Sequence, residues 1–104
     1  MKLVNIKKLE DCIDGSMIFM YSFNEKIHET LMKKLGKKGK LQYFPGFARP
    51  FFKIITADGV LVKGIIGDDN FEVVFPSTNK QERKKKFETN LEKIIEKLYF
   101  WGMV

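Results

Sequence analysis

Residues 51–66 read Phe51-Phe52-Lys53-Ile54-Ile55-Thr56-Ala57-Asp58-Gly59-Val60-Leu61-Val62-Lys63-Gly64-Ile65-Ile66. Two apolar, β-branched runs flank Asp58-Gly59, the favoured pair for a two-residue type I′ hairpin turn. That turn predicts strands over 51–57 and 60–66. It sets Ala57 opposite Val60, Ile55 opposite Val62, Lys53 opposite Gly64 and Phe51 opposite Ile66. Gly67-Asp68-Asp69-Asn70 then turns the chain into a third strand over 71–75. With four residues in that loop, Ile66 faces Phe71, Gly64 faces Val73 and Val62 faces Phe75.

The expected product is a three-strand antiparallel meander with two unlike faces. One gathers Phe51, Ile55, Ala57, Val60, Val62, Ile66, Phe71, Val73 and Phe75 around a single charge, Lys53, and is the expected core. The other carries Phe52, Ile54, Thr56, Leu61, Lys63, Ile65, Glu72 and Val74. That second face is too apolar to stand in water as a whole. The N-terminal segment, the aromatic loop that precedes the meander, or another chain has to cover it.

Working outward, Pro76 ends the meander. Thr78 with Gln81, or Asn79 with Glu82, has the spacing of a helix N-cap box. Phe87, Leu91, Ile94, Leu98 and Trp101, with Ile95 beside them, alternate spacings of four and three, which predicts a core-facing helix over 79–101. Before the meander, the run Ser16–Phe23 is continuously apolar and reads as a central strand. Ser22 and Glu25 suggest a cap for a helix over 24–35 with Ile27, Leu31 and Leu35 on one stripe, stopped by Gly36. Leu41–Phe44 fits a short strand before Pro45 and Pro50 break regularity. Residues 3–13 suit one short helix, with residues 1–6 alternatively an extended edge segment. The fold class that follows is α+β: a two-layer sandwich, its sheet largely antiparallel, with helices 24–35 and 79–101 packed on the meander.

The 104 residues suit one domain, residues 1–104, and 44% hydrophobic content with ten Phe is enough to fill its core. Cys12 is the sole cysteine, so neither an internal disulfide nor a multi-cysteine zinc site can form. The first residues lack the apolar stretch of a signal peptide, and no run reaches the ~18 residues of a membrane span, so a cytoplasmic protein with no membrane partner is expected. The formal charge of +6 comes from 19 basic residues, of which only Arg49 and Arg83 are Arg. Readers of bases favour Arg for its planar fork, so a lysine excess alone is weak evidence for nucleic acid.

Few groups could carry chemistry. His28 has no second histidine, and Cys12 lies in a Glu-Asp-Cys stretch with no spacing signature of an activated nucleophile. Arg83-Lys84-Lys85-Lys86 opens the last helix, where positive charge is unfavourable, and could serve an acidic partner. Asp68, Asp69, Asn70 and Glu72 fall short of a calcium loop and fit turn chemistry. No catalytic residue, metal ligand or cofactor is indicated.

Two binding readings emerge. The first is a non-catalytic interaction domain, a homo-oligomer or a partner for another protein. It would associate through Phe52, Ile54, Leu61, Ile65 and Val74, or through the aromatic C-terminus with Phe100 and Trp101. The second is a nucleic-acid or anion binder. Its lysine loop would be Lys33, Lys34, Lys37, Lys38 and Lys40, beside an aromatic loop over residues 43–51 with Tyr43, Phe47 and Arg49.

Overall fold

The computed structural model describes residues 1–102, with side chains through residue 98. Its elements in chain order are β1 (Leu3–Asp11), β2 (Met17–Phe23), α1 (Glu29–Leu35), β3 (Lys40–Phe44), β4 (Phe51–Ile55), β5 (Leu61–Ile65), β6 (Asn70–Phe75) and α2 (Lys80–Gly102). The strands form one antiparallel sheet in the order β1-β2-β6-β5-β4-β3. Both helices pack on the same face of it, giving the two-layer α+β architecture. No helix among the described residues is long and apolar enough to cross a membrane.

The hairpin between β4 and β5 departs from the two-residue expectation, and the departure decides which residues are core. Thr56 pairs with Val60: the Thr56 amide donates to the Val60 carbonyl at 2.9 Å. The Gly59 amide donates to the Thr56 carbonyl at 2.9 Å, and Gly59 has φ +78°. This is a three-residue loop, a type I turn followed by a left-handed glycine. A type I′ turn would also require positive φ at Asp58, and Asn79 is the non-glycine residue with positive φ among those described. The extra loop residue slips the register by one, so Phe51 faces Ile65, Phe52 faces Gly64 and Ile54 faces Val62.

Side chains alternate along a strand, so a one-residue slip exchanges the two faces of β4. Phe52 and Ile54 lie in the core, both at 0% exposure, while Phe51 and Ile55 turn outward. The β5–β6 register differs from expectation by two residues, with Gly64 opposite Phe71 and Val62 opposite Val73. A two-residue shift preserves the faces, so Val62, Phe71, Val73 and Phe75 are core as expected.

The N-terminal third needed tertiary information. Residues 3–11 are an edge strand, paired with β2 and interrupted by two register shifts. The helix expected over 24–35 begins only at Glu29, with His28 at its N-cap and no side-chain cap bond. Phe23 and Ile27 donate their amides to the Asp69 and Asp68 carbonyls, each at 2.7 Å. Those bonds hold residues 23–27 against the loop before β6 and divert their amides from a helix. Asn24 instead receives the Lys2 amide on its side-chain oxygen at 2.7 Å.

The core lies between sheet and helices. Tyr21, Phe23, Phe52, Phe71, Val73 and Phe75 meet Ile27, Leu31, Met32 and Leu35 from the α1 side, and Phe87, Leu91, Ile94 and Ile95 from α2. Phe87 sits edge-on to Tyr21, Phe71 and Phe75 at 5.4–6.3 Å. The α2 stripe is thus placed as its spacing predicted as far as Leu98; Trp101 lies outside the described side chains. Gly64 has no room for a side chain, since an added Cβ would come within 2.7 Å of the Phe52 ring.

Candidate interaction surface

The side of the sheet away from the helices can be read directly from the pairings. Each strand turns three residues outward, and they align in three rows across the sheet. In order β1, β2, β6, β5, β4, β3, the middle row is Lys7, Met20, Glu72, Lys63, Lys53 and Gln42. The row on one side of it is Glu10, Ile18, Val74, Leu61, Ile55 and Lys40. The row on the other side is Asn5, Ser22, Asn70, Ile65, Phe51 and Phe44, with Asn70 continuing the β5–β6 register.

None of these residues belongs to the core cluster. Four contiguous apolar side chains, Ile18, Val74, Leu61 and Ile55, form a stripe across four strands. Ile55 is 49% exposed and the other three are half-buried by their neighbours in the sheet. At the β3–β4 end, Phe44 and Phe51 stack at 4.5 Å and 20°. Phe47, 59% exposed, leans on Phe51 at 5.2 Å. A shallow groove of about 300 Å³ runs over Gly64 between Phe51, Lys53, Lys63, Ile65, Asp68 and Glu72. Lys53, Lys63 and Glu72 form no ion pair among the described residues.

Of the three covers envisaged for the second face, two are placed elsewhere. The N-terminal segment extends the sheet as its edge strand β1, and the aromatic loop sits at one end of the β3–β4 hairpin. Of the expected association residues, Leu61, Ile65 and Val74 are on this open face. Phe52 and Ile54 are not: the register slip buries both beneath the helices. The side chains of Phe100 and Trp101 lie outside the described residues. Ile18, Met20, Phe51 and Ile55 join the face. Their membership needed the β2–β6 and β4–β5 registers, and the alternation along each strand could have suggested them once those were known.

The residues of the nucleic-acid reading are dispersed. Lys33 is exposed and 3.8 Å from Glu29. Lys34 is half-buried on α1, and Lys37 and Lys38 are exposed in the following turn. Lys38 lines a groove of about 240 Å³ with Arg83 and Lys86, where Asp58 also sits. Lys40 stands on the open face opposite Ile55. Tyr43 points to the helix side and donates to Glu29 at 3.2 Å. Arg49 is held by Asp68 at 2.7 Å, which ties the aromatic loop to the loop before β6. The lysine turn and the aromatic loop lie at opposite ends of β3, about 13 Å apart along the strand.

The groups with chemical potential are structurally engaged or isolated. Tyr21 donates its hydroxyl to Glu88 at 2.7 Å, and Glu88 pairs with Lys84 at 2.6 Å. Burial, aided by Glu88, holds the Tyr21 phenol far above its ordinary range, so it stays protonated and anchors α2 to β2. Lys84 also lies 4.9 Å over the Phe19 ring. His28 is exposed, Cys12 half-buried, and among the described residues no three metal-ligating side chains gather. No protein-family model, curated protein or solved structure matches this chain.

Proposed function

We propose that this protein is a non-catalytic interaction domain that self-associates through the open face of its sheet. The observation that carries this reading is the apolar stripe Ile18–Val74–Leu61–Ile55, unclaimed by the core, with the partly exposed aromatic cluster of Phe44, Phe47 and Phe51 on the same face across the charged middle row. Both helices lie on the opposite side. A contiguous apolar patch of this kind, rimmed by polar residues, marks association surfaces on soluble proteins. Three outward residues on each of six strands make eighteen, near the low end of the ~20–30 residues a side of a standard interface.

Sedimentation equilibrium over about 5–500 μM tests it. The wild-type chain is expected to approach twice its monomer mass of 12.2 kDa. Leu61→Glu would bury an unpaired carboxylate at the centre of the stripe and is expected to weaken association about 30-fold or more, with circular dichroism unchanged. A wild-type monomer throughout that range would overturn the proposal.

A second reading is favoured by the aromatic cluster. Phe44, Phe47 and Phe51 beside Lys53 offer stacking surface next to positive charge, the combination that holds single-stranded nucleic acid. It predicts binding of a labelled single-stranded oligonucleotide at ~150 mM salt with Kd below ~100 μM, lost in Phe47→Ala. An affinity that vanishes at this salt in the wild-type chain would remove it, because lysine-only attraction to phosphates fades as salt rises.

A further inference from the structure

From the charge pattern of the open face we infer the symmetry of the dimer, resting on the reading that this face self-associates. The occupant is a second copy, related by a two-fold axis that lies in the interface, parallel to the strands and between β5 and β6.

Two copies of one face can meet with the axis along the strands or across them. An axis across the strands, along the middle row, sets each strand over its own copy. Lys63 then meets Lys63 of the partner subunit, and Lys53 and Lys7 likewise meet their equivalents. Glu72 meets Glu72 of the partner subunit in the same way, so four like-charge contacts would fall along the middle of the interface.

An axis along the strands instead exchanges β6 with the partner's β5, β2 with its β4 and β1 with its β3. The central pair of the middle row becomes Glu72 over the partner's Lys63, formed twice by symmetry. In the apolar stripe, Val74 meets Leu61 of the partner subunit and Ile18 meets its Ile55. At the ends of the stripe, Glu10 approaches the partner's Lys40. The remaining middle-row lysines, Lys53 and Lys7, fall over Met20 and Gln42, so no like charges are opposed. Stacked sheets pack about 10 Å apart at an angle near 30°. That angle displaces the outermost pairs along the strands and leaves those nearest the axis in register, so the test belongs on Glu72 and Lys63.

The experiment uses Lys63→Glu and Glu72→Lys, separately and mixed, by native mass spectrometry and sedimentation. In either homodimer the central contact becomes like-charged, and each is expected to dimerise about tenfold or more weakly than wild type at low salt. In an equimolar mixture both central contacts are complementary, so heterodimer is expected in clear excess over either homodimer. Lys63 and Glu72 also face each other within the chain. Mixing leaves those internal repulsions in place, so rescue by mixing reports the contact between chains. Lys85→Glu, which makes the same charge change on α2, is expected to dimerise as wild type does. Single variants that dimerise as tightly as wild type would overturn the axis, because an axis across the strands leaves the number of like-charge contacts the same in either variant, while loss of association in Leu61→Glu would still support the open face. A monomeric wild type would overturn both.

Discussion

Phe52→Ala is expected to destabilise the fold by about 3–5 kcal/mol, whereas Phe51→Ala, its neighbour, costs about 1 kcal/mol or less. The difference follows from one residue of hairpin register. Phe52 has no solvent exposure and covers Gly64 on the helix side. Truncating it removes a large buried ring and leaves a cavity where the sheet is held by neighbours on both sides. Phe51 lies on the open face, stacked on Phe44, and its loss leaves no enclosed void. For a domain whose total stability is of order 5–15 kcal/mol, the first substitution removes a large share of the total. Urea denaturation of the two variants beside wild type measures it. The two-residue turn that Asp58-Gly59 suggests would reverse the order, with Phe51→Ala the damaging change.

Gly39→Ala is the second large effect, expected to cost about 3 kcal/mol. A Cβ on Gly39 would stand 2.3 Å from the Ile55 carbonyl oxygen and 3.0 Å from the Thr56 Cα. Both obstacles are backbone of the neighbouring strand, so no side-chain rotation relieves them, and overpacking typically costs about 1–3 kcal/mol even when some relaxation is open. Relief would come from parting β3 from β4, which shortens the sheet at its Lys40 end. Gly46→Ala is the matched control. An added Cβ there meets nothing within 4 Å, and its φ lies outside the left-handed region. It should be neutral or stabilise by about 0.4–1 kcal/mol through the unfolded chain. Thermal unfolding of the pair separates the two cases by about 10 °C or more.

Much of the architecture was legible in local patterns, and the misses have a common cause. The α2 stripe carries a helical period, and the β2 run and the three meander strands are short apolar runs, rich in β-formers and bounded by turn residues, that fit strands by length. Asp58-Gly59 does not carry enough information to set register, because both a two-residue and a three-residue loop place glycine where φ is positive. The choice follows from the Thr56–Val60 pairing and from the burial of Phe52 and Ile54 beneath the helices. The start of α1 was hidden because the amides of Phe23 and Ile27 bond to carbonyls more than 40 residues away in sequence.

The candidate surface divides the same way. Leu61, Ile65 and Val74 were legible, since the β5–β6 error was an even number of residues and kept their face. Ile18 and Met20 were not, because their place beside Val74 and Glu72 depends on pairing β2 with β6, distant in the chain. Arg49 and Tyr43 read as binding residues until their partners, Asp68 and Glu29, were known. The lysines around residue 37 and the aromatics around residue 47 are near in sequence and separated by the length of a strand.

The most direct test of the open face as the self-association surface is an isotope-filtered nuclear Overhauser experiment on a mixture of 13C-labelled and unlabelled protein at high concentration. The predicted contacts between chains join the Val74 and Leu61 methyl groups, and those of Ile18 and Ile55. Intermolecular contacts confined to helix residues such as Ile95 or Leu98, or none at all, would contradict the account.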